Sequence, residues 1–130
     1  MTRIIIPVVR SGDKLLVSPH FGRTPEFALV EITGDSYRII EVTRNPFMEH
    51  EHGRGQAVIQ FVYSRGADAI IVGGIGPRAV AALKSIGVRV YAVPREGIEL
   101  DEAIKLFMKG MLTEVSGEEY PRHHEKHSYY

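Results

Sequence analysis

The stretch ADAIIVGGIGPRAVAALKSIGVRVYAV, residues 67–93, limits the possible folds more than any other part of the chain. It is a short apolar run closed by glycines, then a proline-led segment with Val80, Leu83 and Ile86 on one helical face, then a second apolar run. Strand, helix and strand at this interval predict a right-handed crossover between parallel neighbours. A further amphipathic helix follows in ELDEAIKLFMKGML, where Leu100, Ile104, Phe107, Met108 and Met111 recur at helical spacing. Another precedes it in RGQAVIQFVYSRG, with Ala57, Val58, Phe61 and Val62 as its stripe and Gly66 as its stop.

The first half has a different rhythm. RIIIPVV, residues 3–9, is β-branched and apolar on both faces, the pattern of a central strand, with Pro7 predicting an irregularity near its end. KLLVS is a short strand, and FALVEI and YRIIEVT around TGDS read as an antiparallel hairpin. The expected architecture is a meander followed by βα units. This is an α/β, ribonuclease H-like three-layer α/β/α arrangement with a mixed, mainly parallel five-stranded sheet. Residues 1–115 read as one domain, and residues 116–130, which lack apolar periodicity, as a polar tail without fixed structure.

Composition excludes several function classes. Sixteen basic residues balance sixteen acidic ones, so no overall field draws the chain to nucleic acid or an anionic membrane. No stretch has the layout of a signal peptide or the length of a membrane span, and the expected location is cytoplasmic. The absence of cysteine excludes disulfides, thiolate zinc sites and clusters held by the chain's own thiolates. The first strand carries no carboxylate, unlike the acidic sites of two-metal nucleases. No nucleophile, base and orienting group can be assembled, so an enzyme is not expected.

Three segments remain as candidate sites. In SPHFGRTPEF, His20 sits on a turn-rich loop entering a strand, as a ligand to metal or anion, or as a histidine packed on Phe21. In NPFMEHEHGRGQ, an extended backbone would present His50 and His52 on one side, roughly 6–7 Å apart at the backbone. Gly53 and Gly55 leave room there for a bulky ligand at a helix start, and the alternative is a solvated polar loop. In VGGIGPRA, Gly73, Gly74 and Gly76 precede Pro77 at the end of a parallel strand, where open α/β sheets bind ligands. Those glycines either line a pocket with backbone N–H groups or serve close packing, and Arg78 is either an anion clamp or a solvated charge. The tail run HHEKH reads as a solvated, adventitious metal binder.

Taken in order, IIIPVV, SPHFGRTPEFALVEI, RNPFMEHEHGRGQ and GADAIIVGGIGPRAVAALKSIGVRVYAV resemble the dinitrogenase iron-molybdenum cofactor biosynthesis family, the NifX-like domain also found at the end of NifB proteins. The resemblance spans roughly residues 3–112. It implies a non-catalytic carrier for an iron-sulfur or iron-molybdenum cofactor precursor, transiently bound and passed between metallocluster-assembly proteins. It also implies that His20, His50 and His52 act as metal ligands, with Phe21, Gly22, Gly53, Gly73, Gly74, Gly76 and Arg78 around the cofactor. Neither nucleic acid nor membrane is an expected partner, and the oligomeric state is expected to be a monomer or weak dimer. The rival reading is a regulatory protein that grips a small anion or nucleotide with the GGIGPR turn.

Overall fold

The computed structural model describes residues 1–48 and 54–116. Ten elements follow one another: β1 (Thr2–Ser11), β2 (Lys14–Val17), β3 (Glu26–Thr33), β4 (Ser36–Arg44), α1 (Arg54–Ser64), β5 (Ala69–Val72), α2 (Pro77–Ser85), β6 (Arg89–Ala92), α3 (Leu100–Met108) and β7 (Thr113–Glu114). The sheet runs β4-β3-β1-β5-β6-β7, with β2 folded back on β1.

The sheet is mixed, as its two sequence rhythms require, but it has seven strands where five are expected. Antiparallel pairings join β1 to β2 and β3, β3 to β4, and β6 to β7; only β1–β5 and β5–β6 are parallel. By direction, β1, β4, β5 and β6 nevertheless run the same way, and in the row β4-β3-β1-β5-β6 only β3 is reversed, which is the mainly parallel arrangement expected. The meander contributes three antiparallel contacts, and the two-residue β7 adds a fourth that no periodicity could announce. Pro7 causes no irregularity. It lies opposite Phe27 inside β1, and its carbonyl still accepts a bond from the Ser18 N–H at 2.8 Å. The β3–β4 hairpin forms in the anticipated place, with Gly34 at φ 61° where a left-handed backbone favours glycine.

Each face of the sheet carries its own core, which makes three layers. Ile5, Phe27, Leu29, Ile70, Val72 and Val90 pack against Val58, Ile59 and Val62 of α1 and Ala79, Val80 and Leu83 of α2. Ile4, Ile6, Val8, Ala28, Val30 and Ile71 pack against Leu100, Ala103 and Ile104 of α3. The period-two alternation of β1 thus divides its isoleucines between the layers. No helix among the described residues is long and apolar enough to cross a membrane.

Candidate functional site

The carboxyl ends of β5 and β6 are bordered by the loop that follows β2. The loop begins at Ser18, whose N–H donates to Pro7 and whose Oγ accepts from the His20 N–H at 3.2 Å. Phe21 then enters the core, fully buried and edge-on to Phe27 at 6.4 Å between ring centroids. Burying such a ring contributes about 1.5–3 kcal/mol relative to leaving it in water. The side chain expected beside a cofactor is thus the anchor beneath the loop. His20, next to it, is exposed, as are Pro19 and Arg23.

Two buried polar residues close the other side of the loop. The Thr24 hydroxyl lies 3.0 Å from the carbonyls of both Val8 and Glu26 and donates to one at a time. The Asn45 Nδ2 donates to the carbonyls of Gly22 at 3.0 Å and Thr24 at 2.8 Å. Sequence reading passes over both. Their only trace is the turn chemistry of T-P and N-P, since side-chain-to-backbone bonds leave no periodic signal.

The structure brings the first and third candidate segments together. Gly73, at the end of β5, faces the start of the His20 loop so closely that a Cβ there would stand 2.6 Å from the Ser18 carbonyl oxygen and 3.3 Å from the Pro19 Cα. The steric explanation for this glycine holds, with a loop as the neighbour. Gly74 and Gly76 are buried in the turn that follows. Pro77 opens α2, and no side chain caps the helix. Its first N–H groups therefore have no partner within the helix. Arg78 is exposed, and neither it nor Arg23 is in an ion pair among the described residues.

Beside Pro19 and Gly73 opens a pocket of about 240 Å³, whose apolar wall includes Val9, Leu16, Val17 and Val93 and whose polar residues are Arg95 and Glu96. Arg95 is held by Glu102 at 2.7 Å. Pro19 and Gly73 belong to the sequence motifs, whereas the wall from the β6–α3 loop is one that the motifs do not mark. His50, His52 and Gly53 lie outside the described residues. Among the described residues, no three His, Cys, Asp or Glu side chains are grouped to hold a metal ion.

A three-layer α/β domain with a pinned histidine loop against a glycine turn at the ends of its parallel strands is the class of protein defined here. The chain belongs to the dinitrogenase iron-molybdenum cofactor family, whose match covers residues 3–110. It is 36% identical over 112 residues to an uncharacterized protein of Methanocaldococcus jannaschii, covering 86% of this chain and 90% of that one. Among solved structures it resembles the apo form of the orange protein from Desulfovibrio gigas, with TM-score 0.76 and 29% identity over 90% of this chain and 95% of that one. It also resembles a putative NifB protein from Thermotoga, with TM-score 0.70 and 33% identity over 89% of this chain and 95% of that one.

Proposed function

We propose that this protein binds and carries an iron-sulfur or iron-molybdenum cofactor precursor during metallocluster assembly, without turning over a substrate. The observation that carries the reading is the meeting of the loop that bears the exposed His20, at its Ser18 and Pro19, with the Gly73 turn at the sheet's carboxyl edge. Family membership and likeness to a protein solved in its apo form support it. A bare ion needs several protein ligands converging on it, and the described residues supply no such group. A preassembled cluster brings its own sulfides. It needs an imidazole or two at open iron positions and donors for its sulfur atoms, and His20 with the uncapped start of α2 fits that need. Arg78 and Arg23 supply positive charge for an anionic cargo.

In this reading His50 and His52 are further ligands, Gly22, Gly53, Gly74 and Gly76 let a bulky cargo approach the backbone, and Gly73 lets the His20 loop lie against the turn. Histidine makes a weaker, pH-sensitive link than thiolate, which suits a carrier that must release what it holds. The partners are metallocluster-assembly proteins in the cytoplasm, met by a monomer or weak dimer.

The test is an anaerobic titration with a synthetic iron-sulfur cluster, followed by absorbance and iron content. The full chain carries His123→Ala, His124→Ala and His127→Ala to remove adventitious binding. Stoichiometric uptake that disappears on adding His20→Ala or His50→Ala/His52→Ala is expected, and no uptake by the parent sinks the proposal. The uncapped helix and Arg78, which makes no ion pair among the described residues, favour one second reading, a small-anion or nucleotide site at the GGIGPR turn. It predicts thermal stabilisation by phosphate or a nucleotide that survives the histidine changes and disappears with Arg78→Ala.

A further inference from the structure

Asn45 is a polar residue with only 2% of its surface exposed, set immediately after β4. All its main hydrogen-bonding groups face the neighbouring loops. Its backbone N–H donates to the Pro25 carbonyl at 2.9 Å, carrying the β3–β4 ladder one step past Glu26. Its Nδ2 donates to the carbonyls of Gly22 and Thr24, which uses both amide hydrogens. Its Oδ1 accepts from the Phe47 N–H at 2.9 Å. One side chain therefore ties the middle and the end of the His20 loop to the segment leaving β4.

The loop has no regular backbone pairing of its own between Pro19 and Thr24. Ser18 fixes its start against Pro7 and Gly73, Phe21 fixes its underside, and Asn45 fixes the two carbonyls that follow. His20 thus lies between two fastened points, Ser18 two residues before it and Gly22 two residues after. An aromatic contact runs beside the amide bonds, from Phe47 to Phe61 at 6.2 Å and from Phe61 to Phe27 at 5.2 Å. Phe47 and Phe21 are joined through these rings to one packed cluster.

We propose that Asn45 is a positioning residue: through the Gly22 and Thr24 carbonyls it sets where His20 stands relative to the Gly73 turn. This rests on the reading of His20 as a contact for the cargo. Loss of a group that hydrogen-bonds a metal ligand directly lowers affinity by about 10- to 100-fold, and Asn45, acting through the backbone, is expected to cost no more than that.

The experiment compares the full chain with Asn45→Asp, His20→Ala and the double variant. The aspartate keeps the shape and the acceptor for Phe47 but turns both donors into acceptors facing carbonyls. Affinity for a synthetic iron-sulfur cluster is measured where melting remains cooperative, with NMR of the His20 ring and the Gly22–Phe27 amides on the unloaded protein. The proposal expects Asn45→Asp to shift the His20 ring resonances and to weaken binding by no more than His20→Ala does. The double variant should match His20→Ala alone, because both changes act through one contact. A purely structural role would lower the melting temperature and add to the histidine effect. If His20→Ala weakens binding and folded Asn45→Asp does not, the positioning role is overturned and the carrier reading stands. If His20→Ala has no effect, the reading of His20 fails, and unchanged His20 and Gly22 resonances in Asn45→Asp would overturn the positioning role as well. Should the aspartate prevent folding, Asn45→Ser, which adds no charge, carries the same comparison.

Discussion

Gly73 and Ser18 approach so closely that the missing Cβ of the glycine would stand 2.6 Å from the serine carbonyl oxygen. Both atoms involved are backbone or fixed to it, so no side-chain rotation relieves the clash. Gly73→Ala is therefore expected to displace the His20 loop and to cost about 1–3 kcal/mol, as overpacking does. Gly12→Ala is the control. Nothing lies within 4 Å of its Cβ position, and only its φ of 63° is unfavourable, a cost of about 1–2 kcal/mol. Denaturant unfolding of both, with NMR shifts at His20 and Phe21, separates the cases: only Gly73→Ala should move those two residues.

Thr24 is buried and its hydroxyl is bonded to backbone carbonyls at the base of the same loop. Thr24→Val keeps the shape and removes the donor, leaving buried acceptors short of a partner. A loss of about 1–3 kcal/mol in urea unfolding is expected. Thr33→Val, at an exposed position, should stay within about 0.5 kcal/mol of the parent.

Glu31 sits between two guanidinium groups, Arg3 at 2.6 Å and Arg38 at 3.3 Å. The hydrogen bond from Arg3, then that from Arg38 and the charges of both, hold its carboxyl below the ordinary value of 4.5 against the opposing effect of burial. A carboxylate favoured in the folded state contributes stability above that ordinary value, and the contribution is lost as pH falls through the lowered one. Glu31→Gln should be less stable than the parent at neutral pH. The difference between them should narrow as urea midpoints are followed down through the acid range; a constant difference would contradict the pairing.

Tyr37 on β4 reaches α3 through a 2.9 Å bond from its hydroxyl to Asp101 Oδ1. Burial first, and then the Asp101 carboxylate, raises the phenol above its ordinary 10.0. The folded state keeps this proton longer than the unfolded chain does. Its contribution is intact below pH 10 and is lost as pH rises through the elevated value. Tyr37→Phe should lower stability at neutral pH and show a shallower alkaline decline, read from melting temperatures between neutral pH and the alkaline limb.

The long elements were legible in the sequence because each has one dominant period. RIIIPVV, FALVEI and YRIIEVT became β1, β3 and β4, and PRAVAALKS became α2 with its proline in the first turn. β7 was not legible, since two exposed residues carry no pattern and are placed by pairing with Tyr91 and Ala92. The glycine turn stands out in the sequence, but the loop facing it cannot be named from local sequence. That contact joins residues 55 positions apart, Ser18 and Gly73, and depends on strand order. The role of Asn45 is hidden for a related reason. An N-P pair announces a turn, whereas which carbonyls the amide reaches is settled only when the β3–β4 register is known.

The two halves of the sheet meet along a short seam, Ile4 against Ala69 and Ile5 against Ile70. The hairpins on one side need only local chain closure, whereas this seam must join segments separated by 65 residues, and such long-range pairings are the slow ones in folding. The loop carrying His20 belongs to the early half and the glycine turn to the late one. A nascent chain therefore does not bring the His20 loop to the Gly73 turn until the seam has zipped, so any binding that needs both, as proposed above, also reports that folding has finished.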